Sequence, residues 1–138
     1  MTAAPRGLRN NNPGNIDRTA ERWQGMAADQ SGDKRFVVFS APVWGLRALA
    51  KVLLNYQRKH GLRTPAAIIG RWAPPMENDT GAYVRQVAKA LGVGVDDHID
   101  LQQAIMLERI LPAIVQHENG QQPYGDTLIA EAVRLALE

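Results

Sequence analysis

The segment from Leu101 to Gly120, LQQAIMLERILPAIVQHENG, contains a strong helical pattern. Its apolar residues recur at spacings of three and four, which is the period of one face of an α-helix. The residues on that face are Ile105, Leu107, Ile110, Leu111, Ile114 and Val115. Asp100 is expected to cap a helix that runs from Leu101 to Glu118. Pro112 lies inside this stretch and should kink the helix or split it into two.

Four further segments show the same periodicity, so five helices are predicted in total. Each segment is bounded by a residue that caps a helix or by a glycine or proline that ends one. Their expected limits are Ser40 to Gly61 with Pro42 in the first turn, Pro65 to Trp72, Asn78 or Asp79 to Gly92, and Asp126 to Leu137.

The first part of the chain predicts loops and a little β-structure. Residues 1–32 are rich in Asn, Gly, Pro and Asp, which indicates an ordered loop region rather than a helix. The run Arg35 to Phe39 is β-prone and could pair with residues 14–18 or 24–28 to form a small hairpin. No linker or internal repeat occurs. We therefore predict a mainly α fold with about five helices and a small β-hairpin, as one domain over residues 1–138.

The composition excludes several classes of protein. The absence of cysteine rules out a disulfide scaffold, a thiol nucleophile and a thiolate metal site. The net charge is only +2 and the cations are scattered, so no specific nucleic-acid binding is expected. The three histidines lack the spacing of a metal site, and no phosphate or dinucleotide motif occurs, so neither metal nor cofactor is predicted.

No stretch of the chain predicts a membrane span or a secretory signal. We therefore expect the protein to be made in the cytoplasm, without a signal peptide and without membrane insertion. If it acts outside the cell, release or delivery by other machinery must carry it there.

Glu118 is the carboxylate with the most unusual setting. It ends an apolar helix, where the helix dipole places partial negative charge, and Asn119-Gly120 follows. Both the dipole and an apolar setting favour the protonated form, which a general acid must have. The structural alternative is an exposed Glu in the last turn beside a glycine that stops the helix.

Glu77 is the second candidate carboxylate. It follows two prolines and precedes the cap of the third helix, where an acidic residue is also common for purely structural reasons. Trp72 and Tyr83 are close in sequence, and aromatic faces beside carboxylates are typical of sugar-binding sites. Glu21 with Asp29 or Asp33 forms a weaker pair, on a polar loop.

Six blocks along the chain resemble a family of small phage and prophage proteins. These proteins are often named virion or structural proteins and are considered lysozyme-like. The blocks span nearly the whole chain: Arg6–Ile16, Trp23–Gly25, Phe36–Phe39, Gly45–Ala48, Arg71–Thr80 and His117–Gly120. The resemblance implies a phage origin more firmly than it implies an activity.

A more distant similarity is to bacterial cell-wall glucosaminidases. Those enzymes have an Asn-Asn loop, a Trp-x-Gly hairpin, a Phe-containing strand and a helix in this order, and their catalytic Glu lies on a helix before the loop. Here only nine residues precede Asn10 and none is acidic. However, Ala113 to Pro123 is similar to the helix-ending Glu-Ser-Gly segment of lytic transglycosylases and glucosaminidases, with Asn119 in place of Ser.

These similarities together imply a lysozyme-like α+β domain that is circularly permuted. The helix Leu101–Glu118 would replace the usual first helix and meet the loop Asn10–Asn15 in space. Such a permutation is geometrically easy because the termini of compact domains often lie close together.

The implied function is cleavage of the glycan strand of peptidoglycan by a muramidase, glucosaminidase or lytic transglycosylase. Glu118 would be the general acid and Glu77 the second carboxylate, with Asp79 as the alternative to Glu77. The expected substrate-binding residues are Asn11, Asn12, Asn15, Trp23, Trp72 and Tyr83. One alternative is a non-catalytic virion structural or peptidoglycan-binding module, and another is a nucleic-acid-associated phage protein.

Overall fold

The computed structural model describes residues 4–74 and 79–138. This part of the chain is mainly helical, as predicted. Its helices are α1 (Arg6–Arg9), α2 (Pro42–His60), α3 (Pro65–Trp72), α4 (Thr80–Leu91), α5 (Ala104–Asn119) and α6 (Asp126–Leu137).

The limits of α2, α3, α4 and α6 agree closely with the sequence pattern. Proline begins both α2 and α3, where a missing N–H costs no helical hydrogen bond. Asp79 caps α4 by accepting the N–H of Ala82 at 3.1 Å. Glycines in the left-handed conformation follow α2, α4 and α5.

The helix α5 differs from its prediction in two respects. It begins at Ala104 rather than Leu101, because the Asp100 carboxylate accepts the N–H of Gln102 at 2.9 Å and holds a turn before the helix. Pro112 does not split it, since the helix continues unbroken to Asn119. A proline removes one helical hydrogen bond, and the buried apolar residues on both sides of Pro112 keep the helix in the core.

The predicted β-hairpin is not shown as strands, although the β-prone run pairs with both of the segments predicted for it. In the described residues the β-prone run forms no strand, and its pairing is limited to two isolated antiparallel bridges, Asp17 with Phe36 and Met26 with Phe39. Side-chain amides provide hydrogen bonds that a strand ladder would otherwise supply. Asn12 donates to the carbonyl of Val37 at 2.9 Å, and Gln30 both donates to and accepts from the backbone of Val38. The single turn α1 was also not predicted.

The helices α2 to α6 share one hydrophobic core. The helix α2 packs chiefly on α6, while α5 packs on α4 and α6, and α3 packs on α4. A second, smaller cluster of Val37, Phe39 and Ala48 lies under the loops and joins them to α2. In the part of the chain described, no helix is both long and apolar enough to cross a bilayer.

Candidate functional site

The C-terminal end of α5 contacts the Asn-rich loop near the start of the chain. The side-chain amide of Asn119 donates to the carbonyl of Pro13 at 2.9 Å and to that of Val115 at 3.0 Å. Gly7 permits this contact, because a Cβ there would lie 2.6 Å from the Oδ1 atom of Asn119. Two segments more than one hundred residues apart in sequence therefore lie side by side, with Glu118 at their junction.

The Asn residues of this loop determine its backbone shape. Asn11 and Asn15 adopt φ values of 53° and 50°, the left-handed region that Asn tolerates better than most residues. Asn12 is fully buried; its amide donates to the carbonyls of Ile16 and Val37 and accepts the N–H of Ile16. The abundance of Asn in this loop is thus explained largely by local structure.

Asp33 fixes the same loop from its other side. Its buried carboxylate accepts two hydrogen bonds of 2.6 Å from the guanidinium of Arg6 and one of 2.8 Å from Asn10. It also accepts the backbone N–H groups of Arg35 and Phe36. The Arg6 contact, followed by the backbone donors, holds the pKa of Asp33 well below its usual range.

The carboxylate of Glu118 is held by the buried Tyr83, which in turn contacts the half-buried Trp72. The hydroxyl of Tyr83, a fully buried side chain, donates to Oε2 of Glu118 at 2.9 Å. The indole Nε1 of Trp72 donates to the same hydroxyl oxygen at 3.0 Å. Burial, reinforced by the Glu118 charge, raises the pKa of Tyr83 far above its usual range. The hydroxyl is therefore protonated at neutral pH.

This chain of hydrogen bonds fixes the orientation of the Glu118 carboxyl group. Trp72 can only donate, so the single hydroxyl proton of Tyr83 is directed at Oε2. His117 covers the Tyr83 ring, with ring centroids 3.6 Å apart, and its Nδ1 lies 2.8 Å from the side-chain oxygen of Gln86.

Glu118 lines a cleft of about 480 Å³. The N-terminal loops form one wall of the cleft, and α2, α3 and the segment after α3 form the other. The lining residues are Gly14, Asn15, Ile16, Asp17, Arg35, Phe36, Val52, Tyr56, Trp72, Ala73, Pro74 and Glu118. The cleft thus combines two carboxylates, one guanidinium and three aromatic rings.

The structure brings only some of the predicted site residues into this cleft. Glu118, Asn15 and Trp72 line it, and Tyr83 lies behind Glu118. Asn11 donates to the carbonyl of Phe39 and, like the buried Asn12, is not part of the lining. The other predicted residues are elsewhere: Trp23 packs against the small cluster under the loops, Asp79 caps α4, and Glu77 lies outside the described residues.

The cleft also contains residues that the sequence analysis did not select. Asp17 forms an ion pair of 2.7 Å with Arg35 on its exposed wall, and Phe36 lies under the guanidinium groups of Arg6 and Arg35. Tyr56 comes from the face of α2. A polar loop residue such as Asp17 has no sequence signal that separates it from other loop residues, since only the fold places it opposite Glu118.

Comparison with known proteins gives one clear relative. No model of a protein family matches the chain. Protein P5 of Pseudoalteromonas phage PM2 is 38% identical over 127 residues, which cover 90% of this chain and 77% of P5. The chain belongs to the P5 family of phage proteins. The predicted relationship to phage proteins is thereby confirmed, while the name P5 states no activity.

Proposed function

We propose that this member of the P5 family cleaves the glycan strand of peptidoglycan, with Glu118 as the general acid. The observation that carries this proposal is the orientation of Glu118. Its Oε2 atom is fixed by the buried Tyr83 hydroxyl, and its carboxyl group lines an open cleft. Such a fixed, half-buried carboxyl beside an aromatic ring is suited to protonating a glycosidic oxygen.

The reaction would begin with transfer of a proton from the Glu118 carboxyl group to the bridging glycosidic oxygen. The bond from the anomeric carbon to that oxygen then breaks, and positive charge develops on the sugar ring. Glu77 remains the proposed second carboxylate, and Asp17 on the cleft wall is a further candidate. If neither carboxylate reaches the sugar, a hydroxyl of the sugar itself could attack and form an anhydro ring.

The polar and aromatic lining of the cleft is suited to a carbohydrate. Trp72 and Tyr56 line the cleft with aromatic rings, which are suited to packing on the apolar faces of sugars, and Asn15 adds a polar residue. The Trp72 ring is also held in place, because its Nε1 donates to Tyr83.

The contact between α5 and the Asn-rich loop supports the proposed lysozyme-like, circularly permuted arrangement. In that arrangement α5 takes the place of the usual first helix and delivers its terminal Glu to the loop. The hydrogen bond from Asn119 to Pro13 is the kind of contact that this model requires. The site of action would then be the bacterial cell wall, reached by release or by delivery with the phage.

One observation favours a second candidate, a virion structural or peptidoglycan-binding module without catalysis. Among the described lining residues Asp17 is the only carboxylate besides Glu118, and Arg35 already neutralises it. A protein of this kind would bind glycan in the cleft without cleaving it.

The test is to incubate the purified protein with native and deacetylated peptidoglycan and to measure new reducing ends and anhydro products. Glu118→Gln keeps the size of the side chain and its acceptor for Tyr83 but removes the transferable proton. We expect cleavage to fall by roughly 10²–10⁴-fold. Glu108→Gln, on the same α5 helix but outside the cleft lining, is the matched control and should retain full activity.

Two results would contradict the assignment. Full activity of Glu118→Gln would remove Glu118 from the mechanism, even if the protein cleaves glycan. Binding of peptidoglycan without any released product from the unmodified protein would establish the non-catalytic module instead.

A further inference from the structure

A second concavity, of about 270 Å³, lies beside the cleft on the surface of α2. It is formed between α2 and the loop that contains Trp23. Its lining residues are Glu21, Arg22, Trp23, Gln24, Arg47, Lys51 and Asn55. We refer to this concavity as the basic pocket.

The basic pocket has an excess of positive charge that the described residues do not neutralise. It contains three cations, Arg22, Arg47 and Lys51, against the single carboxylate of Glu21. Across residues 4–74 and 79–138, no ion pair or hydrogen bond involves the side chains of these three cations. Arg47 and Lys51 are half-buried. Because partial burial of unpaired charge is unfavourable, the arrangement favours an external anion.

The basic pocket and the cleft share a wall. Arg47, Lys51 and Asn55 follow one another at intervals of four residues and therefore lie along one line of α2. Val52 of the cleft is three residues before Asn55, so these two side chains are neighbours on the helix surface. A ligand that leaves the cleft across this point would enter the basic pocket directly.

We infer that the basic pocket binds a carboxylate of the peptide stems that branch from the glycan strand. This inference rests on the proposed function. Arg47 and Lys51 would hold the carboxylate by charge-assisted hydrogen bonds, and the half-buried ring of Trp23 would contact an aliphatic part of the stem. The pocket would thus make the protein prefer glycan that carries peptides to bare glycan.

The test uses soluble, uncrosslinked glycan chains that carry tetrapeptide stems as the ligand. Two matched ligands are the same chains after amidase removal of the stems and the same chains with amidated stem carboxyl groups. Binding is measured by calorimetry in the Glu118→Gln background, so that turnover does not consume the ligand. We expect the stem-bearing chains with free carboxylates to bind about tenfold or more tightly than either matched ligand.

The variant that tests the pocket is Arg47→Gln with Lys51→Gln. It should reduce the affinity for stem-bearing chains to the level of bare glycan and leave the affinity for bare glycan unchanged. The matched control is Arg85→Gln with Lys89→Gln, an exposed Arg and Lys four residues apart on α4. This control removes the same charge far from the pocket and should not affect either affinity.

The outcomes separate this inference from the proposed function. If bare glycan binds and is cleaved but stems and their charge make no difference, the inference about the pocket is wrong and the proposed function stands. If both double variants weaken binding equally, only net charge matters and the inference is again wrong. If no glycan ligand binds, the proposed function fails and the inference fails with it.

Discussion

The ionised side chain of Asp33 stabilises the folded loops. Its carboxylate accepts hydrogen bonds from Arg6, from Asn10 and from two backbone N–H groups, and these lower its pKa in the folded protein. In the unfolded chain an Asp titrates near 3.9. The charged carboxylate therefore stabilises the fold above about pH 4, and this contribution is lost progressively as the pH falls further.

We predict that Asp33→Asn lowers the melting temperature by several degrees at pH 7 and by clearly less at pH 2. Thermal unfolding at both pH values measures the difference. Asp96→Asn, at an exposed position, is the control and should change neither value appreciably. An equal loss at both pH values would mean that Asp33 acts through shape and not through its charge.

The candidate site could be predicted from sequence only where a residue's role is local. Glu118 was recognised because its place at the end of an apolar helix is unusual, and Trp72 because it is an aromatic residue near polar ones. Asn12 was grouped with the substrate-binding residues, yet it is buried and satisfies backbone groups. A run of Asn looks the same in sequence whether it binds a ligand or shapes a turn.

At the level of elements, the packing of the Asn-rich loop on α2 depends on Gly45. This residue lies in the first turns of α2 and is buried, and a Cβ there would overlap the carbonyl oxygen of Asn11. The obstacle is backbone, which cannot move aside as a flexible side chain can. The glycine thus sets how closely the loop and the helix approach each other.

We predict that Gly45→Ala destabilises the protein by about 3 kcal/mol. The control is Gly70→Ala in α3, where a Cβ meets nothing within 4 Å. That variant should be neutral or up to about 1 kcal/mol more stable, because alanine favours a helix. Urea unfolding compares the two variants, and similar stabilities for both would refute the proposed close approach.

Elements that are stabilised by local features could be predicted from the sequence, whereas elements that depend on long-range contacts could not. The limits of α2, α3 and α4 were predictable because caps, prolines and apolar periodicity act within each helix. The segments that pair with the β-prone run were also predictable, since both bridges fall within them. The absence of strands was not, because the side chains of Asn12 and Gln30 occupy backbone carbonyls of this run. The helix α5 is not split at Pro112, because packing in the core outweighs the local effect of the proline.

At the level of the whole molecule, the described loops and helices are joined at several places, and three of these contacts show how. Asn119 connects the end of α5 to the Asn-rich loop, Gly45 brings this loop against α2, and Ala48 of α2 belongs to the cluster under the loops. Each of these contacts is lost if either side unfolds. The loops and the helical core should therefore depend on each other for stability.

We predict that the protein unfolds in a single transition. Far-ultraviolet circular dichroism follows the helices, whereas tryptophan fluorescence mostly follows the loop region, because Trp23 and Trp44 pack against the small cluster there. The two signals should change at the same urea concentration. A fluorescence transition at lower urea would show that the loops open while the helices persist. In that case the cleft wall that faces Glu118 would be a separate unit, and the geometry argued for catalysis would exist only when both units are folded.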